Sequence, residues 1–312
     1  MDRIFISIIK TARPRQWLKN LALFVTILIT GHIFEPQAFR QTIVGCFAFC
    51  LLSSSTYLFN DILDCSHDKK HPFKKFRPIA NGTLPISVAV VSSVILMISG
   101  LIVSRFVGTL FFIFSLVFIV LEYSYTLFLK HITVIDILAI TAAYFLRVYA
   151  GEAATGYHIS VWFALAALSL ALFLAVGKRR AELTLLQGYR GSLLNQTRIS
   201  LSHYSEKLLD TYTAMFANST FITYAFYTFL ERPTTAGFFL KNYGDFVADI
   251  PGRKWMMATV PFVLYGIMRY MQLIYEGKGE SPEIILTSDM PLFATVILWV
   301  ISIFFVVYGI GG

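Results

Sequence analysis

Three aspartates follow one another at helical spacing in the segment Asn60-Asp61-Ile-Leu-Asp64-Cys-Ser-His-Asp68. Steps of three and seven residues return side chains to the same face of an α-helix, so the three carboxylates should form one stripe. Neighbouring carboxylates repel one another, and a shared divalent cation removes that repulsion. Oxygen ligands of this kind suit Mg²⁺, which binds through a few carboxylates together with substrate phosphates. The segment therefore predicts a magnesium site made by Asp61, Asp64 and Asp68.

Basic residues follow these aspartates directly, in a stretch where Pro72 and Pro78 end the helix and fix the turns. The turns should present Lys74, Lys75 and Arg77 beside the carboxylates. Lysine and arginine next to a carboxylate-bound metal form a clamp for a diphosphate leaving group. We therefore expect the two stretches to act together on a diphosphate.

A second charged cluster comes about 110 residues later, where Lys178, Arg179 and Arg180 stand in a row and Glu182 follows. Because Lys178 and Glu182 are four residues apart, one interpretation is a salt pair at a helix end. The other interpretation is a second phosphate clamp that faces the first. Three consecutive cations suit bare phosphate groups better than a second metal-bound diphosphate.

Four more polar residues occur in or beside long apolar runs. Tyr123 and Lys130 allow two interpretations, because tyrosine at this level is either an interfacial anchor or a phosphate contact. Arg147 and Glu152 lie inside or near the outer end of a run, and we interpret them as structural partners.

The elements that must position these residues follow from the composition. The chain has 312 residues, of which 56% are hydrophobic and 14% charged, and its mean hydropathy is +0.67. Soluble chains carry about 25% charged residues, so this composition excludes a soluble enzyme and a disordered chain. Three cysteines (Cys46, Cys50 and Cys65) give no disulfide framework. The net charge of +8 fits membrane topology and anionic lipid rather than nucleic-acid binding.

Long apolar runs separated by short charged stretches predict an all-α polytopic membrane protein, with residues 1–312 as a single transmembrane domain. Nine spans are expected, at about residues 18–36, 41–60, 84–104, 107–123, 134–153, 158–177, 208–230, 254–274 and 289–309. The side that holds the N-terminus receives about three times as many lysines and arginines as the other side, so it should be cytoplasmic. The expected active-site loops on this side are about 61–83, 124–133 and 178–207. The outer loop 231–253 is interpreted as a connector.

The aspartate segment resembles the first Asp-rich motif of the UbiA superfamily of intramembrane prenyltransferases, whose fold nine spans would match. Tyr123-Ser124 with Lys130 resembles a Tyr/Lys loop of that superfamily. Most members carry a second Asp-rich motif after the sixth span, where this chain has Gly177-Lys-Arg-Arg-Ala-Glu182. With the blocks Arg13–Asn20 and His71–Ala80, this departure resembles the decaprenyl-phosphate phosphoribosyltransferase branch. The likeness runs from about residue 11 to residue 300.

The resemblance implies an Mg²⁺-dependent transferase in the cell membrane. It would move 5-phosphoribose from 5-phosphoribosyl 1-diphosphate to a polyprenyl (decaprenyl) phosphate, releasing diphosphate, in synthesis of a cell-envelope polysaccharide precursor. The catalytic residues would be Asp61, Asp64, Asp68 and Lys178, with the three aspartates on the metal. The substrate-binding residues would be Lys19, Asn60, Lys74, Lys75, Arg77, Tyr123, Lys130, Arg179, Arg180 and Glu182.

Three alternatives remain, and the oligomeric state, including a homo-oligomer, stays open. A UbiA-type aromatic prenyltransferase would use a polyprenyl diphosphate donor and should need a second acidic metal cluster after span six. A transporter should show polar residues deep in several spans. A CDP-alcohol phosphotransferase should show a Gly-rich aspartate signature, which this sequence lacks.

Overall fold

The computed structural model describes residues 2–69, 74–187, 204–231, 254–278 and 281–310. In these ranges all regular elements are helical and no strand occurs, which confirms the all-α expectation. The α-helices in chain order are α1 (Asp2–Ala12), α2 (Ala22–Ile29), α3 (Pro36–Leu63), α4 (Cys65–Asp68), α5 (Ile86–Val107), α6 (Thr109–Leu127), α7 (Ile135–Thr155), α8 (Val161–Gln187), α9 (Glu206–Leu230), α10 (Val260–Tyr275), α11 (Pro282–Ser288) and α12 (Met290–Phe304). Short 3₁₀ stretches cover Pro14–Leu21, Lys74–Phe76, Leu129–His131 and Trp255–Thr259, and a π-helical turn covers Phe305–Ile310.

Seven helical stretches of the described residues are long and apolar enough to cross a membrane. They are Pro36–Leu63, Ile86–Val107, Thr109–Leu127, Ile135–Thr155, Val161–Thr184, Trp255–Tyr275 and Met290–Ile310. Each coincides with one expected span, and the protein is embedded in the membrane. The total of nine membrane spans stays a prediction.

The other two expected spans take different forms. The prediction for 18–36 is wrong in its second half, because α2 ends at Ile29 and a turn leads to α3. Arg13 has a left-handed backbone (φ 53°), and Pro14 then begins the 3₁₀ stretch, so the chain changes direction before α2. The stretch 208–230 forms α9, which is 25 residues long but rich in threonine and tyrosine.

Close helix contacts set the positions of the segments that carry the charged residues. Helix α2 packs on α7 at Gly151, where a Cβ atom would lie 2.3 Å from the carbonyl oxygen of Leu23. Helix α8 packs on α10 at Gly177, where a Cβ atom would lie 2.8 Å from the Ile274 side chain. At Gly151 the close atom belongs to the backbone, so only glycine allows this approach of α2 to α7, whereas at Gly177 the Ile274 side chain would have to shift.

The C-terminal ends of α3, α6, α8 and α10 lie at one end of the bundle, together with the 3₁₀ stretch Pro14–Leu21. Ion pairs across this end join Arg13 to α3, Lys19 of the 3₁₀ stretch to α11, the turn after α6 to Asp64, and α8 to α7. The expected loops 61–83 and 124–133 therefore meet, as the sequence predicted. The expected loop 178–207 is wrong at its start, because α8 continues to Gln187. Residues 70–73 with Pro72, residues 188–203 and most of 231–253 lie outside the described residues.

Candidate active site

The three aspartates lie where α3 ends. Helix α3 stops at Leu63, but hydrogen bonds from Asp64 N to Asn60 O and from Asp68 N to Asp64 O continue the helical path into α4. The carboxylates of Asp61 and Asp68 are buried, whereas the Asp64 side chain is 26% exposed. The local chain path therefore keeps all three carboxylates at this end of the bundle.

Arginines neutralise two of these carboxylates. One nitrogen of Arg77, Nη1, lies 3.0 Å from Asp61 Oδ1 and 2.7 Å from Asp68 Oδ2. Arg13 Nη2 lies 2.5 Å from the same Asp61 oxygen. Burial raises the pKa of the Asp68 carboxyl above its ordinary value, although Arg77 and Lys74 oppose that rise. Arg77 thus supplies positive charge between two carboxylates, as a bound cation would.

A lysine neutralises the third carboxylate. Lys130 lies in the 3₁₀ turn after α6, and its Nζ is 2.6 Å from Asp64 Oδ1. The structure therefore brings Lys130 to the aspartates. Tyr123 instead packs inside the bundle, where its hydroxyl lies 3.1 Å from Ser55 Oγ and 3.3 Å from Met97 Sδ.

The other residues expected near the aspartates differ in placement. The charge of Lys74 acts on Asp68, which places its side chain close to the carboxylates. Lys75 is exposed, with its Nζ 5.2 Å from the centre of the Phe76 ring. Asn60 is half-buried one residue before Asp61.

The donor chemistry of this site fits Mg²⁺, because carboxylate oxygens are the hard ligands that this ion takes. Among the described residues, however, no three His, Cys, Asp or Glu side chains converge as a ready metal site. The physical reason is that Arg13, Arg77 and Lys130 already hold carboxylate oxygens. The metal-ligand assignment therefore stays a prediction, and it requires these ion pairs to open when metal and diphosphate arrive together.

Arg179, at the end of α8, is fully buried and surrounded by acceptors. Its Nε lies 2.7 Å from Asp136 Oδ2, an ion pair in which the N–H is not aligned with the oxygen. Its Nη1 lies 2.5 Å from Glu182 Oε2, and its Nη2 donates to the Tyr125 hydroxyl at 2.8 Å. The Tyr204 hydroxyl donates to the other oxygen of Asp136 at 2.7 Å. Glu182 thus pairs with Arg179, and its charge also acts on Lys178.

Arg180 points toward α9. Its Nε lies 2.6 Å from Asp210 Oδ1, and its guanidinium stands 5.0 Å from the centre of the Tyr275 ring. Phosphate binding by Arg179 or Arg180 stays a prediction, since their charges are balanced by carboxylates in this structure.

Lys19 forms an ion pair that the sequence did not reveal. Its Nζ lies 3.2 Å from Oε1 of Glu283, on α11, and 5.6 Å from the centre of the Tyr144 ring. Burial lowers the pKa of Lys19. The charges of Tyr144, Tyr57 and Glu283 together raise it by more, so the net shift of the pKa is upward. Burial conversely raises the pKa of Glu283, yet Lys19 and Lys178 hold it below its usual range.

Four residues with contacts at the aspartate end of the bundle were not predicted as site residues: Arg13, Tyr125, Asp136 and Glu283. Arg13 begins the Arg13–Asn20 block, and the resemblance of that block does not single it out. Glu283 gave no usable signal, because a single glutamate before the last apolar run has no motif around it.

Glu152, with Arg147, was expected to be structural. It lies at the opposite end of α7, where its Oε1 is 2.8 Å from His158 Nδ1. A cavity of about 260 Å³ opens at this opposite end, lined by Thr30, His32, Tyr157 and Glu231 among others. Because the three aspartates lie at the other end of the bundle, this cavity is not the candidate active site.

The Lys19–Glu283 pair makes stability depend on pH. Since the pKa of Glu283 is lowered in the folded protein, the pair stabilises above the unfolded pKa of about 4.5, and this stabilisation is lost as pH falls through the folded pKa. Glu283→Gln is expected to cost about 1–3 kcal/mol at pH 7. Measurement of the free energy of unfolding in detergent between pH 7 and 3.5 checks this prediction. The difference in free energy of unfolding between the variant and the wild type should shrink below pH 4.5. An unchanged difference at low pH would contradict it.

The fold and the site define a membrane-embedded helical bundle whose acidic and basic side chains meet at one end. The sequence pattern of the UbiA prenyltransferase family matches residues 21–181. The chain belongs to this family and is a transferase.

Relatives match over nearly the whole chain. Decaprenyl-phosphate phosphoribosyltransferase of Corynebacterium glutamicum is 32% identical over 306 residues, covering 97% of this chain and 87% of the relative. The enzyme of the same name from Mycolicibacterium smegmatis is 31% identical, with 97% and 92% covered. A solved UbiA homolog from Archaeoglobus fulgidus, bound to GPP and Mg²⁺, superposes with a TM-score of 0.70 at 17% identity, covering 96% of this chain and 99% of that one. That superposition shows the UbiA fold.

Proposed function

We propose that this protein transfers 5-phosphoribose from 5-phosphoribosyl 1-diphosphate to decaprenyl phosphate and releases diphosphate. The observation that carries the proposal is that Asp61, Asp64 and Asp68 lie at the same end of the bundle as a second set of cations, Lys19, Arg179 and Arg180. This arrangement suits a metal-bound diphosphate beside a bare phosphate. The relatives that match nearly the whole chain bear the corresponding enzyme name, which supports the same assignment.

The carboxylate cluster takes the donor. Asp61, Asp64 and Asp68 would hold Mg²⁺, with Asn60 orienting them. The ion supplies positive charge to the diphosphate leaving group when it is bound. Arg77 moves from the carboxylates to diphosphate oxygens.

The remaining cations of this end complete the donor site. Lys74 and Lys75 offset the charge that develops on the leaving group. Lys130 pairs with Asp64 in this structure and would contact the diphosphate once a metal ion neutralised that carboxylate. Lys178, Arg179 and Arg180 grip the 5-phosphate or the acceptor phosphate.

The reaction needs no dedicated general base. An oxygen of the acceptor phosphate, already anionic near neutral pH, forms the new bond to C1 of the ribose. The bond between C1 and the diphosphate oxygen breaks, and diphosphate leaves with the electron pair. Catalysis then rests on holding two anions together and stabilising the cationic ribosyl centre. The site faces the cytoplasm, where the water-soluble donor is available, and the lipid tail lies in the bilayer.

A two-donor assay tests the proposal. Purified protein in detergent and lipid receives Mg²⁺ with labelled 5-phosphoribosyl 1-diphosphate and decaprenyl phosphate, and separately a prenyl diphosphate with 4-hydroxybenzoate. Labelled lipid should form only from the first pair. Product from the second pair alone would overturn the proposal and favour an aromatic prenyltransferase.

Removal of the metal is expected to abolish transfer. Excess EDTA should stop formation of labelled lipid, because without the cation the diphosphate and three carboxylates repel one another. Added Mg²⁺ should restore the rate. Full activity after chelation would contradict the assignment of the aspartates as metal ligands.

A further inference from the structure

A polar cluster lies deeper in the bundle than the aspartates. It consists of Lys19 from the 3₁₀ stretch, Lys178 from α8, Glu283 from α11, and the tyrosines Tyr144 and Tyr270 from α7 and α10. Lys19 lies against Glu283 and Tyr144, and the charge of Lys178 acts on Glu283 as well. Five separate elements thus converge on one point outside the aspartate segment.

Two buried polar atoms of this cluster lack hydrogen-bond partners among the described residues. They are the hydroxyl of Tyr270 and the hydroxyl of the neighbouring Ser281, and the buried Glu283 carboxylate has its ion pair with Lys19 beside them. Glu283 is 5% exposed, Tyr270 4% and Ser281 8%. Buried polar groups are normally paired, so such a concentration of unpaired ones points to a polar ligand.

The charges of the cluster define the sign of the charge on that ligand. The charges of Lys19 and Lys178 both act on the carboxylate of Glu283, whose Oε1 is 3.2 Å from Lys19 Nζ, and Glu182 acts on Lys178 as well. Arg147, also buried, donates to Asn20 beside Lys19 and has no carboxylate partner in the part of the chain that the structure describes. The excess positive charge selects an anion.

The depth of the cluster defines where that anion comes from. Lys178, Tyr144 and Tyr270 belong to helical stretches that cross the membrane. Tyr144 is nine residues inside α7, about 14 Å from the start of the helix. Asp64, by contrast, lies beyond the end of α3. An anion at the deeper level is more accessible to a lipid than to a water-soluble substrate.

We propose that Lys19 and Lys178 bind the phosphate monoester head of the lipid acceptor, and that Glu283 is the internal counter-ion that this phosphate replaces. The inference rests on the proposed function, because it assigns the acceptor to one part of the site. The phosphate brings two negative charges to two ammonium groups, and it offers acceptor oxygens to the Tyr270 hydroxyl. Tyr57 connects this cluster to the donor site: it acts electrostatically on Lys19, its ring lies 5.2 Å below the Arg13 guanidinium, and it precedes Asp61 by one helical turn.

Separate binding measurements on the full-length protein in detergent test the assignment. Geranyl phosphate represents the acceptor, inorganic phosphate represents a free anion, and 5-phosphoribosyl 1-diphosphate with Mg²⁺ represents the donor. Lys19→Gln and Lys178→Gln should each weaken geranyl phosphate binding at least tenfold. Glu283→Gln should strengthen it several-fold, because the competing carboxylate charge is gone. Lys19→Gln should leave donor binding unchanged.

Lys278→Gln is the matched control. Lys278 lies near Glu283 in sequence and pairs with Glu276 at 2.7 Å, but its side chain is 59% exposed. This variant should bind geranyl phosphate as the wild type does, and gel filtration should show that every variant remains monodisperse.

Four results would overturn the inference. They are unchanged geranyl phosphate binding in Lys19→Gln, weaker binding in Glu283→Gln, loss of donor binding alone in Lys19→Gln, and inorganic phosphate binding as tight as geranyl phosphate. A wild-type protein that transfers 5-phosphoribose to decaprenyl phosphate while showing any of these refutes only this inference. A wild type that binds neither substrate refutes the proposed function as well.

Discussion

Asp64→Asn is expected to lower the rate of phosphoribosyl transfer by about a thousandfold, the scale on which loss of one electrostatic contact to developing charge acts. The amide keeps the size of the side chain and can still accept from Lys130, which lies 2.6 Å from Asp64 Oδ1. It removes a negative charge that, in the proposed function, would hold the metal on the diphosphate. The measurement is labelled lipid formed from 5-phosphoribosyl 1-diphosphate and decaprenyl phosphate, over a range of Mg²⁺ concentrations.

Glu276→Gln provides the control for this change. Glu276 is an exposed carboxylate just after α10 that pairs with Lys278 at the surface. Its replacement removes the same charge without touching the aspartates, so transfer should continue at the wild-type rate. If Asp64→Asn retained more than a tenth of the activity, Asp64 would not be a metal ligand.

Arg179→Gln is expected to destabilise the fold by about 3–5 kcal/mol, the cost of leaving one partner of a buried ion pair without the other. Arg179 and Asp136 are both fully buried, with Nε and Oδ2 2.7 Å apart. Without the guanidinium, the Asp136 charge keeps only the hydrogen bonds that it accepts, including that from Tyr204. Chemical unfolding of the protein in detergent measures the loss.

Two further variants identify the cause of that loss. Arg269→Gln breaks an arginine–aspartate pair of the same length, 2.7 Å to Asp289, whose side chains are partly exposed. It should cost less than about 1 kcal/mol, because solvent screens the charges. Adding Asp136→Asn to Arg179→Gln should recover part of the stability, since no buried charge is then left alone. A double variant less stable than Arg179→Gln would show that lost packing, rather than the charge, is responsible.

Local spacing was sufficient to predict the helices. Apolar runs near the length of a membrane crossing gave ends within a few residues of the observed ones for α5, α7, α9 and α12. The failure at 18–36 has a local cause, because Gly31 has a left-handed backbone (φ 82°) two residues after the end of α2, and Pro36 begins α3.

The spacing also predicted that the aspartates lie together, because residues three and seven positions apart share one face of an α-helix. It predicted that Lys130 lies on their side of the membrane, and the ion pair with Asp64 agrees. It did not predict the partners of Arg179, since Asp136 approaches from another helix.

The sequence by itself determined a membrane-embedded all-α chain, its family, and the acidic and basic residues that gather at one end of the bundle. These properties depend on composition and on short-range periodicity, which any single stretch of chain displays. Only the tertiary structure decided which charges pair. Arg77 joins Asp61 to Asp68, Arg179 is enclosed by carboxylates, and Lys19 meets Glu283 across 264 positions of the chain. Ion pairing depends on distances of a few ångströms between separate helices, and these are set by contacts such as Gly151 on Leu23 and Gly177 on Ile274.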